Sequence, residues 1–153
     1  MSERNRSVPQ VVRSIEIQAP PGAVWRWLAT PETLRRWISP SLEIDLRVGG
    51  AYRFFGPDNK TWISGTVLEF TPERSLALSW LEEGQGWVRP MRLVITLAPS
   101  QAGTRVTVIH DGFDEIGTAD WRVTMEDYER GADEHRILEK LAELVNADAV
   151  AHR

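Results

Sequence analysis

The stretch TADWRVTMEDYERGADEHRILEKLAELVN, residues 118–146, decides how the rest of the chain is read. Within it Trp121, Met125, Tyr128, Ala132, His135, Leu138, Leu141 and Val145 recur at steps of three or four, the period of one face of an α-helix. At 1.5 Å per residue such a helix runs on the order of 40 Å, enough to cross a small domain. Its apolar stripe is uneven. The C-terminal half (Ile137, Leu138, Leu141, Leu144, Val145) is aliphatic, as a helix packed on a core should be. The other half carries Trp121, Met125 and Tyr128, then small Gly131 and Ala132 and polar His135. Close-packed interiors leave few voids and few unsatisfied groups, so this half is expected to wall a cavity.

Upstream of the helix the pattern is β. Val11, Arg13, Ile15 and Ile17 alternate with Val12, Ser14, Glu16 and Gln18 up to Ala19-Pro20, a strand signal. Pro21 and Pro31 each suit the first turn of a short helix, and Thr30 suits an N-cap. The first helix is expected through Leu28, the second to about Trp37, and Ser39-Pro40-Ser41 ends it. Leu42, Ile44 and Leu46 then alternate with Glu43, Asp45 and Arg47, and Gly49-Gly50 turns the chain into Ala51–Phe55. Residues 61–70, 75–81, 91–97 and 104–111 follow as strands separated by short turns, the pattern of an antiparallel meander. An α+β fold results, with a curved antiparallel sheet wrapped around one long C-terminal helix and two short helices after the first strand. Residues 1–153 are read as a single domain, with a flexible arm over 1–10 and the C-terminal helix over 118–146.

Composition bounds the function. Of 153 residues, 42% are hydrophobic and 26% charged, ordinary for a globular domain. A net charge of −4 argues against nucleic acid or anionic membrane as partner, and Arg4, Arg6 and Arg13 read as a solvated tail. With no cysteine, disulfides, thiolate nucleophiles and cysteine metal sites are excluded, and a reducing cytoplasm is the expected compartment. No apolar run reaches membrane-spanning length. Seven tryptophans outnumber four phenylalanines and two tyrosines; an indole offers a large apolar body and one N–H, which suits half-wet pockets as well as cores.

Ala19-Pro20-Pro21-Gly22-Ala23-Val24-Trp25, Pro31-Glu32-x-Leu34-x-x-Trp37 and Glu43-x-Asp45-x-Arg47-x-Gly49-Gly50-x-Tyr52 come in this order. They are followed by Gly65-x-Val67, Phe70-x-Pro72-x-x-x-Leu76, Trp80, Gly103-Thr104, His110-x-Gly112-Phe113 and Tyr128-Glu129-x-Gly131. Nearly the whole chain thereby resembles the START-like (SRPBCC) superfamily, in its Aha-type branch of chaperone-ATPase activator homologues. The resemblance implies a helix-grip fold with a cavity between the sheet and the C-terminal helix. It also implies binding of apolar or amphipathic molecules; some relatives are cyclases, dehydratases or hydrolases, and eukaryotic ones act on a chaperone. Such proteins often carry Trp directly after the helical glycine. Here Ala132-Asp133 follows, which suggests a wider or differently shaped cavity.

Strand parity puts Tyr52 with Phe54, Leu76 and Leu78 with Trp80, Met91 with Leu93, Ile95 and Leu97, and Val106 and Val108 with His110. If these faces look inward, Tyr52, Phe54, Trp80, His110, Trp121, Met125 and Tyr128 converge as a ligand-binding wall, or else fill a core. His110 offers an ionisable group to orient a ligand or move a proton, the alternative being a structural histidine; His135 reads as a solvent-edge position, and His152 lies in the tail. Glu43, Asp45 and Arg47 read as the solvated outside of the sheet. Three histidines without ligand spacing, and no cysteine, leave no metal site. Gly84-Gln85-Gly86 lacks the third glycine of a dinucleotide loop, and no serine stands in a Gly-x-Ser-x-Gly elbow, so no cofactor is expected. The first reading is a binding protein for an apolar or aromatic small molecule. The second is a cavity enzyme with His110 as acid or base and Tyr128 as donor to an oxyanion. The third is a chaperone-directed interaction through the charged sheet face. A homodimer is compatible with all three.

Overall fold

The computed structural model describes residues 8–151; Arg4, Arg6 and His152 lie outside them. Seven strands form one antiparallel sheet: β1 (Gln10–Ile17), β2 (Glu43–Ile44), β3 (Ala51–Phe55), β4 (Trp62–Thr71), β5 (Ser75–Glu82), β6 (Met91–Pro99) and β7 (Thr104–Asp111). Their order across the sheet is β1-β7-β6-β5-β4-β3-β2, so β2 to β7 meander and β1 closes on β7. One strand is shorter than the alternation predicts. Only Glu43 and Ile44 of residues 42–47 pair with β3, because the backbone already turns at Asp45: Arg47 N–H donates to Asp45 O at 2.8 Å, and Gly50 N–H to Arg47 O at 2.8 Å. Glu43, Asp45 and Arg47 are exposed.

Between β1 and β2 run α1 (Pro21–Trp25) and α2 (Pro31–Arg35). Both begin at the proline that predicts them, and Thr30 caps α2 through reciprocal contacts with Thr33. Each ends sooner than the sequence suggests. Trp27 and Leu28 already bond back three residues rather than four, to Val24 O and Trp25 O, the tighter closure usual at a helix C-terminus.

After β7 a 3₁₀ turn (Phe113–Glu115) leads to α3 (Trp121–His135) and α4 (Ile137–Ala151). The C-terminal helical segment is thus long but not continuous. Arg136 stands between its halves at φ 52°, ψ 50°, left-handed. The physical reason lies in the spacing. Steps of three from Ala132 through His135 and Leu138 to Leu141 accumulate about 900°, two and a half turns, at ~100° per residue. On a straight helix Ala132 and Leu141 would face opposite ways, and the kink at Arg136 puts both stripes on the sheet. The halves pack unequally: α4 buries Leu138, Leu141 and Val145, whereas α3 buries none of its residues fully. No helix among the described residues is long and apolar enough to cross a membrane.

The core lies between the concave sheet face and α1, α2 and α4, with Leu28, Leu34, Leu76, Ile95, Val106 and Leu141 fully buried. Inward parity holds as expected for Tyr52, Phe54, Trp80, Met91, Leu93, Val106 and Val108. A bulge between Val67 and Glu69 leaves Leu68 exposed.

Candidate functional site

Register builds the site. Val11, His110, Leu93, Leu78 and Val67 face one another in a single row across β1, β7, β6, β5 and β4, so the imidazole is set into an otherwise aliphatic row. One step along, Trp80 pairs with Met91. From β3, Phe54 meets Trp80 edge-on with ring centroids 5.4 Å apart, and Tyr52 stacks on Phe54 at 6.2 Å. Trp80 meets His110 at 4.8 Å, His110 meets Tyr128 of α3 at 5.1 Å, and Phe113 closes the series against Tyr128 at 5.5 Å. Edge-to-face contacts of this kind are favourable beyond the area they bury.

Gly65 lets β4 and β5 come close together beside Tyr52. Gly65 and Tyr52 pair across β3 and β4, and a Cβ at Gly65 would lie 2.2 Å from Ser79 O, the carbonyl that accepts the Tyr52 hydroxyl at 2.7 Å.

The polar groups are few and specific. Trp80 Nε1 donates to the Tyr128 hydroxyl at 2.8 Å, and that hydroxyl donates to Glu82 Oε2. Burial raises the Glu82 pKa, the Tyr128 hydrogen bond opposes the rise, and the carboxylates of Asp58 and Asp127 add to it. Burial and then Glu82 push Tyr128 well above the usual phenol range, and burial also raises Tyr52. Burial lowers His110 to about 4, with Asp111 only weakly opposing. Among the described residues, His110 Nδ1 is buried without a hydrogen-bond partner, as are Trp27 Nε1 and Thr118 Oγ1.

Of the seven wall residues expected from the sequence, Tyr52, Phe54, Trp80, His110 and Tyr128 form one continuous ring series. Trp121 and Met125 rest half-buried against the core, with Arg122 lying over the Trp121 ring at 4.3 Å. His135 is exposed, as read. Glu82 and Phe113 complete the site without having been assigned to its wall, Phe113 having been read only as part of the His110-x-Gly112-Phe113 motif; Glu82 shares strand parity with Leu78 and Trp80, the signal that could have found it. Where an open cavity is expected the rings touch one another, so the site is closed in this conformation. Concavities of about 470 and 630 Å³ lie elsewhere, one beside Pro72, Arg74 and Leu97, the other beside Ser79, Arg92 and Asp111. Ala132 is half-buried, and Asp133, next to it, pairs with Arg13 of β1 at 3.0 Å. No cluster of three or more metal-ligating side chains occurs among the described residues.

A curved sheet gripping a C-terminal helical segment over an aromatic seam defines the helix-grip, START-like class. Within that class, the model of the family described as "Activator of Hsp90 ATPase homolog 1-like protein" matches residues 18–146, and the chain belongs to that family. Solved structures agree on the fold. Protein MLL2253 from Mesorhizobium loti is similar with a TM-score of 0.74 at 22% identity, covering 90% of this chain and 97% of that one. The Aha1 dimer from Colwellia psychrerythraea is similar with a TM-score of 0.67 at 16% identity, over 86% and 92%. DynU16, from the dynemicin biosynthetic locus, is similar with a TM-score of 0.70 at 18% identity, over 90% of this chain and 47% of that one. No functionally curated protein matches the chain in sequence.

Proposed function

We propose that the protein binds an apolar or aromatic small molecule between the sheet and α3, with Phe54, Trp80 and Trp121 supplying apolar contact and His110 one polar contact. The observation that carries this reading is His110 Nδ1, buried in an aromatic seam with nothing to bond to. A buried polar atom without a partner is costly, and a ligand atom would satisfy it. The covering element supports the reading: α3 buries no residue fully, and its Tyr128 lies directly over His110 and Phe113. Membership in a family whose fold suits ligand binding, and likeness to a protein from a biosynthetic locus, point the same way.

The enzyme reading is weaker on this geometry. His110 is held neutral far below pH 7, and Tyr128 is held protonated far above it; acid–base catalysts work best with pKa values near the operating pH. The chaperone-directed reading relies on the charged row of residues 43–47, where Asp45 and Arg47 already pair with each other at 2.7 Å.

Native mass spectrometry of the purified protein tests the proposal. An adduct present under native conditions and absent after denaturation is the expected result. A clean apo mass, with no compound of an aromatic library raising the melting temperature, would overturn it.

A further inference from the structure

We propose that the slot filled by the Tyr128 side chain is a phenol-binding site, and that Tyr128 is its resident stand-in, withdrawn with α3 when the ligand arrives. This rests on the small-molecule reading above and narrows it to a chemical class. The Tyr128 hydroxyl does two things at once: it accepts from Trp80 Nε1 at 2.8 Å and donates to Glu82 Oε2. Few groups can replace it. An ammonium donates but cannot accept, leaving a buried indole N–H with nothing to bond to; an ether accepts but cannot donate to the carboxylate. A hydroxyl does both.

The ring that carries the hydroxyl is specified separately. His110 and Phe113 stand edge-on to it at interplanar angles of 72° and 73°, walls that suit a flat aromatic ring. Charge narrows the class further. The acidic groups acting on Glu82 are Asp58 and Asp127, so a carboxylate or phosphate taking the hydroxyl's place would meet the like charge of Glu82. A neutral phenol fits.

Two features of α3 favour the release of Tyr128. Its helix buries no residue fully and ends at the left-handed Arg136. The tether from Arg13 of β1 to Asp133 is an exposed ion pair, a kind of contact that contributes little. Beside the slot, His110 Nδ1 is buried and has no hydrogen-bond partner among the described residues, and it provides one further polar contact for a ligand larger than a tyrosine ring.

The test titrates the full chain with 4-ethylphenol and with 4-ethylanisole, its methyl ether, following amide chemical shifts by NMR. The phenol is expected to bind roughly tenfold more tightly than the ether, the size of one hydrogen bond to a charged group. Glu82→Leu is expected to erase that difference. Tyr128→Phe keeps the ring but removes the competing hydroxyl, so it is expected to tighten 4-ethylphenol by roughly tenfold. Should Tyr128→Phe weaken the phenol or leave it unchanged, Tyr128 is a ligand contact and the stand-in idea fails. Equal affinity for phenol and ether overturns the inference while leaving the small-molecule reading intact. Binding of neither, with no adduct by native mass spectrometry, overturns both.

Discussion

His110 owes its character to its row. Val11 and Leu93 flank it on the neighbouring strands, and Trp80 and Tyr128 cover it edge-on, so burial rather than any charged neighbour sets its pKa near 4. As pH falls below the ordinary histidine value of ~6.5, the unfolded chain takes up a proton that the folded chain refuses. His110 therefore weakens the fold progressively from about pH 6.5 down to about 4. By pH 4.5 the loss amounts to roughly 2–3 kcal/mol at 1.36 kcal/mol per pKa unit. Glu82 acts oppositely, since its raised pKa favours the folded state in acid, but a comparison of variants cancels it. In urea unfolding at pH 7 and pH 4.5, His110→Phe should lose that much less stability than the parent. An equal loss in both proteins would mean that the imidazole is solvated. Parity placed His110 on the buried face without any structure, because alternation is fixed by the pleat. What parity could not supply was Nδ1 without a partner, a fact about the atoms opposite the ring.

At the scale of elements, all seven strands and the two proline-started helices can be read from local signals. The break at Arg136 can be read only in the angular arithmetic of the stripe. Three successive steps of three are a statement about phase, and Arg136 itself is no helix breaker by type, which is why a single helix is the natural first reading. The place of Phe113 in the wall was hidden for a related reason: it follows a strand in a 3₁₀ turn, where neither helical nor strand period applies. The break makes a prediction with a definite sign. A non-glycine residue in the left-handed region is strained, and glycine is the usual occupant at a helix C-terminus. Arg136→Gly should stabilise the protein by about 0.5–1 kcal/mol. Were the helix continuous in solution, the same change would place glycine in a helix interior and cost about 1 kcal/mol. Thermal or urea unfolding of the variant gives the sign directly.

For the molecule as a whole, the sheet with α1, α2 and α4 forms one buried unit, and α3 lies across it as a thinly attached cover. The architecture was legible because every level of the sequence agrees on it: alternation, turn chemistry, helix starts and the order of motifs. Whether the aromatic seam stands open or closed was not legible. A ring can line a void or fill it with the same sequence pattern, and the outcome depends on whether α3 sits down far enough for Tyr128 to reach Trp80 and Glu82. That difference in attachment should appear as two tiers of stability. Backbone amides open with free energies set by how much core each segment buries. Amides in residues 125–135 should therefore exchange with solvent by local opening, faster than those around Leu141 and Val145, whose side chains are buried. Adding 4-ethylphenol displaces Tyr128 and withdraws α3, so exchange in 125–135 should quicken further while the sheet is unaffected. Hydrogen exchange followed by mass spectrometry on the free protein reads the first part, and the same experiment with the phenol reads the second. Equal protection of the two helices in the free protein would make them one cooperative unit with the sheet, and a ligand would then need a route other than the lifting of α3.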